Sequence, residues 1–338
     1  MSLKSTAINN RRYLGNKYKL LPFIINVVNE HCQDINIFAD LFAGTGAVSS
    51  AFTSKTIITN DILYSNYICN LAWFGSQKFD ADKIKAILSR YNAIDTNEQN
   101  YMSLNFTDTF FCAKDCSKIG VIREDIEQLY QQEHINTRER ALLITSLLYA
   151  MDKIANTCGH YDAYRQNIEF DKHLELLFPN ASNDNKNDNC CFNEDINIIA
   201  NKIYADIVYL DPPYNSRQYC DAYHLLENVA RWEKPIVKGV ARKMDRKKIK
   251  SKYCTKTATK AFEDLIQNLN CRYILLSYNN MSNKGNARSN AKITDNDILK
   301  ILTSKGDVEI FSENHKAFTT GKSNIKENKE RLFLCNCR

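Results

Sequence analysis

Residues 35–46 read Ile35-Asn36-Ile37-Phe38-Ala39-Asp40-Leu41-Phe42-Ala43-Gly44-Thr45-Gly46, a short apolar run that ends at glycines. The run predicts a buried strand over Ile35–Leu41, and the glycines predict a turn from which a helix over Ala47–Phe52 sets out. Upstream, Lys19–Asn29 (KLLPFIINVVN) has apolar residues at helical spacing. Downstream, Thr56–Thr59 (TIIT) is a second β-branched run, stopping at Asn60 and Asp61 before a helical stretch from Tyr64 to Phe74. This βαβ rhythm implies an α/β fold, a parallel sheet with helices on both faces. The carboxyl end of a strand is where open sheets of this kind bind nucleotides, and glycines there let the backbone approach a ligand. The dinucleotide fingerprint is incomplete, because Ser49 stands where G-x-G-x-x-G has its third glycine. Asp61 lies 21 residues after Asp40, near the spacing at which an acid reaches ribose hydroxyls. It is also placed to cap the helix that follows. Together the two features point to an adenosine-like ligand.

Working outward, the rhythm stops near Asn92. Polar and cysteine-bearing segments lead into a long amphipathic helix from Thr137 to about Asn156, and strands resume only at Cys190. Between them, Asn180–Asn189 (NASNDNKNDN) reads as an exposed polar linker that does not pack. Further short apolar runs follow at Ile207–Leu210, Tyr273–Ser277, Val308–Phe311 and Leu332–Leu334, enough to complete one sheet. Residues 1–91 and 190–338 are therefore expected to form one domain, with 92–189 as a mainly helical insertion. There is no internal repeat of domain-building length.

The chain has 338 residues, 44% of them hydrophobic and 25% charged, which excludes wholesale disorder. No apolar stretch reaches the roughly 20 residues of a membrane span; the best, Ala141–Met151, is interrupted by Thr145 and Ser146. No apolar stretch of signal-peptide type opens the chain, so a cytoplasmic protein is expected. The 12 cysteines are spread out and lack C-x-x-C spacing, which favours reduced thiols over disulfides or zinc. Net charge is +6, unevenly placed: Lys234–Lys260 holds eleven Lys or Arg against Asp245 alone. That segment carries +10 and leaves −4 for the remainder, so it is either a solvated loop or a track for a phosphate backbone.

The strongest signal is Asp211-Pro212-Pro213-Tyr214, directly after the run Ile207–Leu210. Two prolines forbid further ladder donors and stiffen the chain, so an acid, a prolyl carbonyl and an aromatic ring are held at the edge of the sheet. With Arg12-Tyr13-Leu14-Gly15-Asn16-Lys17, the Asp40–Gly46 turn and Asp61, this tetrapeptide gives four ordered motifs. In that order they resemble the Dam-type, alpha-group S-adenosylmethionine-dependent DNA N6-adenine methyltransferases, and among these the modification methylases of type II restriction systems. The resemblance runs from about residue 11 to 75 and from 190 to 338. A looser match at Asn156–Tyr164 (NTCGHYDAY) is similar to the family's hairpin beside DNA.

The resemblance implies a Rossmann-like methyltransferase sheet, with the insertion recognising a specific duplex sequence. It implies that Lys17 meets the carboxylate of the cofactor S-adenosylmethionine, with Tyr13 packing nearby. Phe42, Gly44 and Gly46 would line the pocket, Asp40 would hold the amino group, Asp61 the ribose and Asp195 the adenine amine. Asp211, Pro212, Pro213 and Tyr214 would form the catalytic corner, working without a metal on an adenine flipped from double-stranded DNA. A cognate restriction endonuclease acting on the same site is an expected partner. The alternatives are methylation of an RNA base, or a catalytically silent DNA-binding module with the same fold. Tyr219 and Tyr223, at helical spacing after the tetrapeptide, are expected to be packing residues.

Overall fold

The computed structural model describes residues 3–157, 159–166, 169–279, 291–314 and 329–338. In chain order the strands are β1 (Ser5–Thr6), β2 (Ile37–Asp40), β3 (Thr56–Asn60), β4 (Phe178–Pro179), β5 (Cys190–Phe192), β6 (Tyr204–Leu210), β7 (Asn270–Asn279), β8 (Gly306–Asn314) and β9 (Lys329–Cys337). Seven of them form one sheet in the order β5-β3-β2-β6-β7-β9-β8. The first five are parallel, and β9 runs antiparallel between β7 and β8. From β2 the chain builds outward through β3 and β5 on one side, then through β6 and β7 on the other. The order therefore reverses between β2 and β6, which opens a crevice at their carboxyl ends. The register pairs Asp40 with Tyr209, so the ends of β2 and β6 lie side by side.

Eleven α-helices are described: α1 (Leu21–His31), α2 (Tyr64–Phe74), α3 (Ala81–Asn92), α4 (Tyr101–Phe106), α5 (Ala113–Gln131), α6 (Thr137–Ile154), α7 (Ile196–Ile199), α8 (Tyr219–Ala222), α9 (His224–Arg231), α10 (Ala258–Asn268) and α11 (Asp295–Thr303). None is long and apolar enough to cross a membrane. The alternation of side chains along a strand divides the apolar residues between the two faces. Leu275, Leu332 and Leu334 join α1, α2, α3, α5, α6 and α9 on one face. Ile274, Leu276, Phe333 and Cys335 join α7, α10 and α11 on the other. The described cysteines are free thiols.

Helix α6 is buried around most of its circumference, between α2, α3, α5 and α9. Its capping box uses Asn136 and Glu139, and Arg138 donates to the carbonyls of Ala72, Gln77 and Ser182. A second buried arginine, Arg123 on α5, donates to the carbonyls of Val229 and Ala230 in α9. The helices of 92–189 thus share one apolar cluster with the face of the sheet.

Two sequence expectations are corrected. Residues 47–52 do not form a helix beyond a single 3-10 turn, Ser49–Ala51. Phe52 stacks on Phe38 at 4.1 Å, and β3 begins only four residues later, so the segment is drawn into the core before a second turn can form. The stretch Asn180–Asn189 is not a free linker. Asn183 pairs with both the N–H and the C=O of Phe79, and Asn185 donates to the carbonyls of Trp73 and Gly75. Asn189, itself buried, accepts from Ile57 N at 2.8 Å and donates to Phe74 O at 3.0 Å. The end of α2 and the start of β3 leave backbone groups unpaired, and an amide offers both a donor and an acceptor to meet them.

Candidate active site

The crevice between β2 and β6 opens into a pocket, and most of the residues singled out in the sequence meet there. Tyr13, Lys17, Asp40, Phe42, Gly44, Asp61, Asp195, Asp211 and Pro213 line it. Gly46, Pro212 and Tyr214 do not. Gly46 is where the turn seats on α2: a Cβ there would stand 2.3 Å from Asn70 Oδ1 and 2.7 Å from Phe74. Its left-handed φ of +78° also suits glycine alone. Tyr214 lies edge-on to Tyr278, and its carbonyl accepts from Lys292 N.

Asp40 ends β2 and is fully enclosed. Its Oδ2 accepts from Ser49 Oγ at 3.0 Å, while Oδ1 is buried without a partner among the described residues. Burial pushes this carboxyl up to about 7; Ser49 opposes the rise, and the negative charges of Asp211 and Asp61 add to it. Asp61 spans two loops, accepting from Gly44 N and Leu63 N at 2.8 Å each. Burial raises it to about 6 against those two hydrogen bonds. The sequence offers Asp61 as the cap of α2, but the N-terminal N–H groups of that helix, on Tyr64 and Ser65, are taken by Glu227 from α9. Glu227 also pairs with Arg231 at 2.7 Å, and nothing in its local sequence signals this role.

The segment 12–17 forms the opposite wall. Tyr13 stacks with Tyr223 and Tyr219, at 4.6 and 5.3 Å between centroids, and its hydroxyl accepts from Asn66 Nδ2. Tyr219 and Tyr223 do pack, as expected, but they also clamp the loop: the Tyr223 hydroxyl accepts from Leu14 N, and the Tyr219 hydroxyl donates to Leu14 O. Below them Arg11 is buried, bonded to Asn66 Oδ1 and 3.6 Å from Asp152. Asp152 accepts from the Tyr161 hydroxyl, which ties the 159–166 loop to the same core. In the loosely matched stretch 156–164, Cys158 lies outside the described residues, and Asp162 pairs with Lys243 at 2.5 Å.

Lys17 reaches across the pocket to Asp211, with Nζ 2.8 Å from Oδ2. It also donates to Gly15 O at 3.3 Å. Burial pushes the Asp211 carboxyl up and the Lys17 ammonium draws it back. Asp195 is the N-cap of α7, accepting from Asn197 N, and its other oxygen pairs with Lys252 at 2.8 Å. The basic segment therefore does more than face solvent. Ile249–Tyr253 form a wall of the pocket, held by reciprocal hydrogen bonds between Gln218 and Ser251. Tyr253 meets Phe42 edge-on at 5.0 Å. Sequence reading missed this wall because the segment's lysines read only as a solvated loop or a track for phosphates. Lys234, Lys243, Arg246 and Lys252 pair with Glu124, Asp162, Asp221 and Asp195; the segment's other seven cations form no ion pair among the described residues.

Away from the pocket, Cys112, Asp115 and His173 bring three metal-competent atoms within 4.8 Å of one another. The Asp115 carboxylate there already accepts from Leu174 N and Cys112 Sγ.

Residues 13–289 match a family model described as D12 class N6 adenine-specific DNA methyltransferase. The chain is 35% identical to the modification methylase StsI of Streptococcus sanguinis, over 94% of this chain and 50% of that protein. It is 34% identical to the type II methyltransferase M.NlaIII of Neisseria lactamica, over 79% of this chain and 83% of that protein. A third relative, the type II methyltransferase M.CviAII of Paramecium bursaria Chlorella virus 1, is 29% identical over 97% of this chain and 98% of its own length. The chain spans about half the length of StsI, LlaI and M.FokI.

Proposed function

Because the chain belongs to the D12 class of N6-adenine-specific DNA methyltransferases, we propose that it methylates the exocyclic N6 amine of an adenine in a specific duplex DNA sequence, with S-adenosylmethionine as donor. The relatives named as modification methylases support a role in a restriction-modification system; a nuclease of the same specificity and a cytoplasmic location belong to the same proposal. The observation that carries the reading is the pocket at the strand reversal, walled by segment 12–17 and the turn after β2 and bordered by Asp211.

The pocket suits such a donor. Asp40 Oδ1 is a buried acceptor with no donor among the described residues, as an ammonium-binding carboxylate would be. Five acids line the pocket (Asp40, Asp61, Glu194, Asp195 and Asp211) against Lys17, Lys250 and Lys252, an acidic excess that fits a ligand carrying both an ammonium and a sulfonium. Gly44, at φ +53°, leaves no side chain between the turn and the Tyr13 ring. Lys17 and Tyr13 would hold the carboxylate end, Asp40 the amino group, and Asp61 the ribose hydroxyls. Phe42 and Gly44 would shape the wall, with Gly46 behind them seating the turn on α2. Asp195 would take the adenine amine through the lone pairs that Lys252 and Asn197 leave free. When bound, the donor supplies a methyl group on a sulfonium, whose neutral thioether is a good leaving group; the N6 nitrogen would shed one proton to Asp211 or solvent as the N–CH3 bond forms and the S–CH3 bond breaks.

The chain's own residues would prepare the acceptor. The N6 lone pair is delocalised into the purine ring, and the base lies inside the duplex until it is flipped out, at roughly a few kcal/mol. Asp211 and the Pro212 carbonyl would accept the two N6 hydrogens and draw the nitrogen toward tetrahedral geometry, with its lone pair turned to the methyl. Pro213 stiffens this corner, and Tyr214 would stack on the extruded base. Region 92–189 and the remaining cations of 234–260 would meet the duplex, the first for sequence and the second for phosphates.

Transfer of tritiated methyl from S-adenosylmethionine to duplex DNA, with RNA as the parallel substrate, tests this reading. Wild-type protein is expected to label DNA alone, and Asp211→Ala to bind DNA but label nothing. Labelling of RNA instead would move the substrate class. Binding without transfer by the wild type would leave a silent module.

A further inference from the structure

We propose that Lys17 is a positioning residue for Asp211, holding it as a fixed carboxylate so that one oxygen stays available to the substrate amine. The inference rests on the adenine methyltransferase reading and goes beyond it, since the resemblance gives Lys17 only the donor's carboxylate to bind. Nζ stands 2.8 Å from Asp211 Oδ2, and the two side chains are only 9% and 22% exposed. Lys17 cannot easily swing away. Its loop is clamped at Leu14 by Tyr219 and Tyr223, turns at Gly15 with φ +75°, and takes a second Nζ hydrogen at Gly15 O. Oδ1 of Asp211 has no hydrogen-bond partner among the described residues, so the pair divides the carboxylate into a held oxygen and a working one.

The surroundings explain why such a partner is needed. Facing Asp211 are the acid Asp40 and the phenols of Tyr209 and Tyr219, with Tyr214 beside it; Glu330 faces Lys17 from β9. A buried carboxyl in that company tends to keep its proton, and a protonated acid would offer a hydrogen where the amine needs an acceptor. The ammonium of Lys17 opposes this tendency. An ammonium has three hydrogens, and the third can meet a donor's carboxylate without releasing Asp211.

The test uses the full chain with Lys17→Met and Lys17→Arg, and begins without cofactor. Carbon-13 NMR of the aspartate carboxyls, with the Asp211 signal assigned by Asp211→Asn, should show the midpoint moving up by roughly 1–3 pH units in Lys17→Met. Lys17→Arg should restore it. At saturating donor and DNA, kcat of Lys17→Met near pH 7 should fall about 100-fold and recover as pH rises, because the acid limb moves upward. Binding of 5′-methylthioadenosine, which lacks the carboxylate, reports whether the pocket is intact and should not change. If Lys17→Met does not fold, Lys17→Gln keeps a donor without a charge and carries the same test. An unmoved Asp211 titration, with the loss confined to the affinity for S-adenosylhomocysteine, would overturn the proposal and leave Lys17 as a donor ligand alone. Failure of the methyltransferase reading would look different: wild type would transfer no methyl, while the cofactor-free titration would still report the pair.

Discussion

Asp40 shows how a single carboxyl can be poised for a ligand that the chain itself does not supply. One oxygen is satisfied by Ser49, the other is buried and unpaired among the described residues, and burial pushes the group up to about 7 from the ordinary carboxylate range. A cationic ligand favours the ionised form, so binding below about pH 7 must expel the proton that Asp40 holds. We expect calorimetry of S-adenosylmethionine binding in buffers of different ionisation enthalpy to show proton release near pH 6 and almost none above pH 8, with weaker affinity at the lower pH. Asp40→Asn should remove most of that release. The same shift acts on folding with a defined sign. Because the folded-state value lies above the unfolded one, the contribution of Asp40 to stability is fully present below about pH 4 and is lost as pH rises through about 7. The place of Asp40 in the crevice was legible in its position at a strand end before two glycines. Its unpaired oxygen was not, since that depends on Ser49 folding back in a single turn.

At the scale of elements, the basic segment and the asparagine-rich stretch both proved more than composition suggested. We propose two roles for segment 234–260, phosphate contact and support of the pocket wall, and variants should separate them. Replacing Lys247 and Lys248 with alanine should lower DNA affinity and flatten the slope of log K against log salt by about 0.9 for each phosphate no longer neutralised, with donor binding unchanged. Lys252→Ala removes the partner of Asp195 and should weaken donor binding while barely altering the salt slope. Filter binding over a salt series, paired with calorimetry, distinguishes the two. Asn189→Ala leaves Ile57 N–H and Phe74 C=O without their partner and should cost about 1–3 kcal/mol in a urea melt. A change below a few tenths of that would mean that water replaces the amide. Low complexity hid these roles, because each amide's partner lies far away along the chain.

At the scale of the whole molecule, residues 92–189 and the sheet share their apolar interior. Helix α6 packs against α2 and α9, and the buried arginines Arg123 and Arg138 tie α5 and α6 to carbonyls in α9, at Ala72 of α2 and in the loops beyond. Arg11 adds a further tie between the wall of the pocket and Asp152 on α6. We therefore expect one cooperative unfolding transition, with hydrogen exchange in α6 as slow as in β6. Two separated calorimetric transitions, or rapid exchange confined to 101–154, would show instead that the inserted region folds as an independent unit.

The sequence by itself determined the alternating elements, the parallel sheet and the turns that carry Asp40, Asp61 and Asp211, because these follow from local rules. Apolar runs make strands, glycines and prolines end them, and a strand's carboxyl end presents whatever acid comes next. The tertiary structure alone decided which groups answer one another across the fold. Lys17 meets Asp211, Glu227 caps α2, Lys252 meets Asp195, and Asn189 closes the gap between α2 and β3. The physical reason is common to three of these; Lys252 is half-exposed, and its pairing with Asp195 follows from where the basic segment packs. A buried charge or backbone group must find a partner wherever the packing brings one, and that need is blind to distance along the chain.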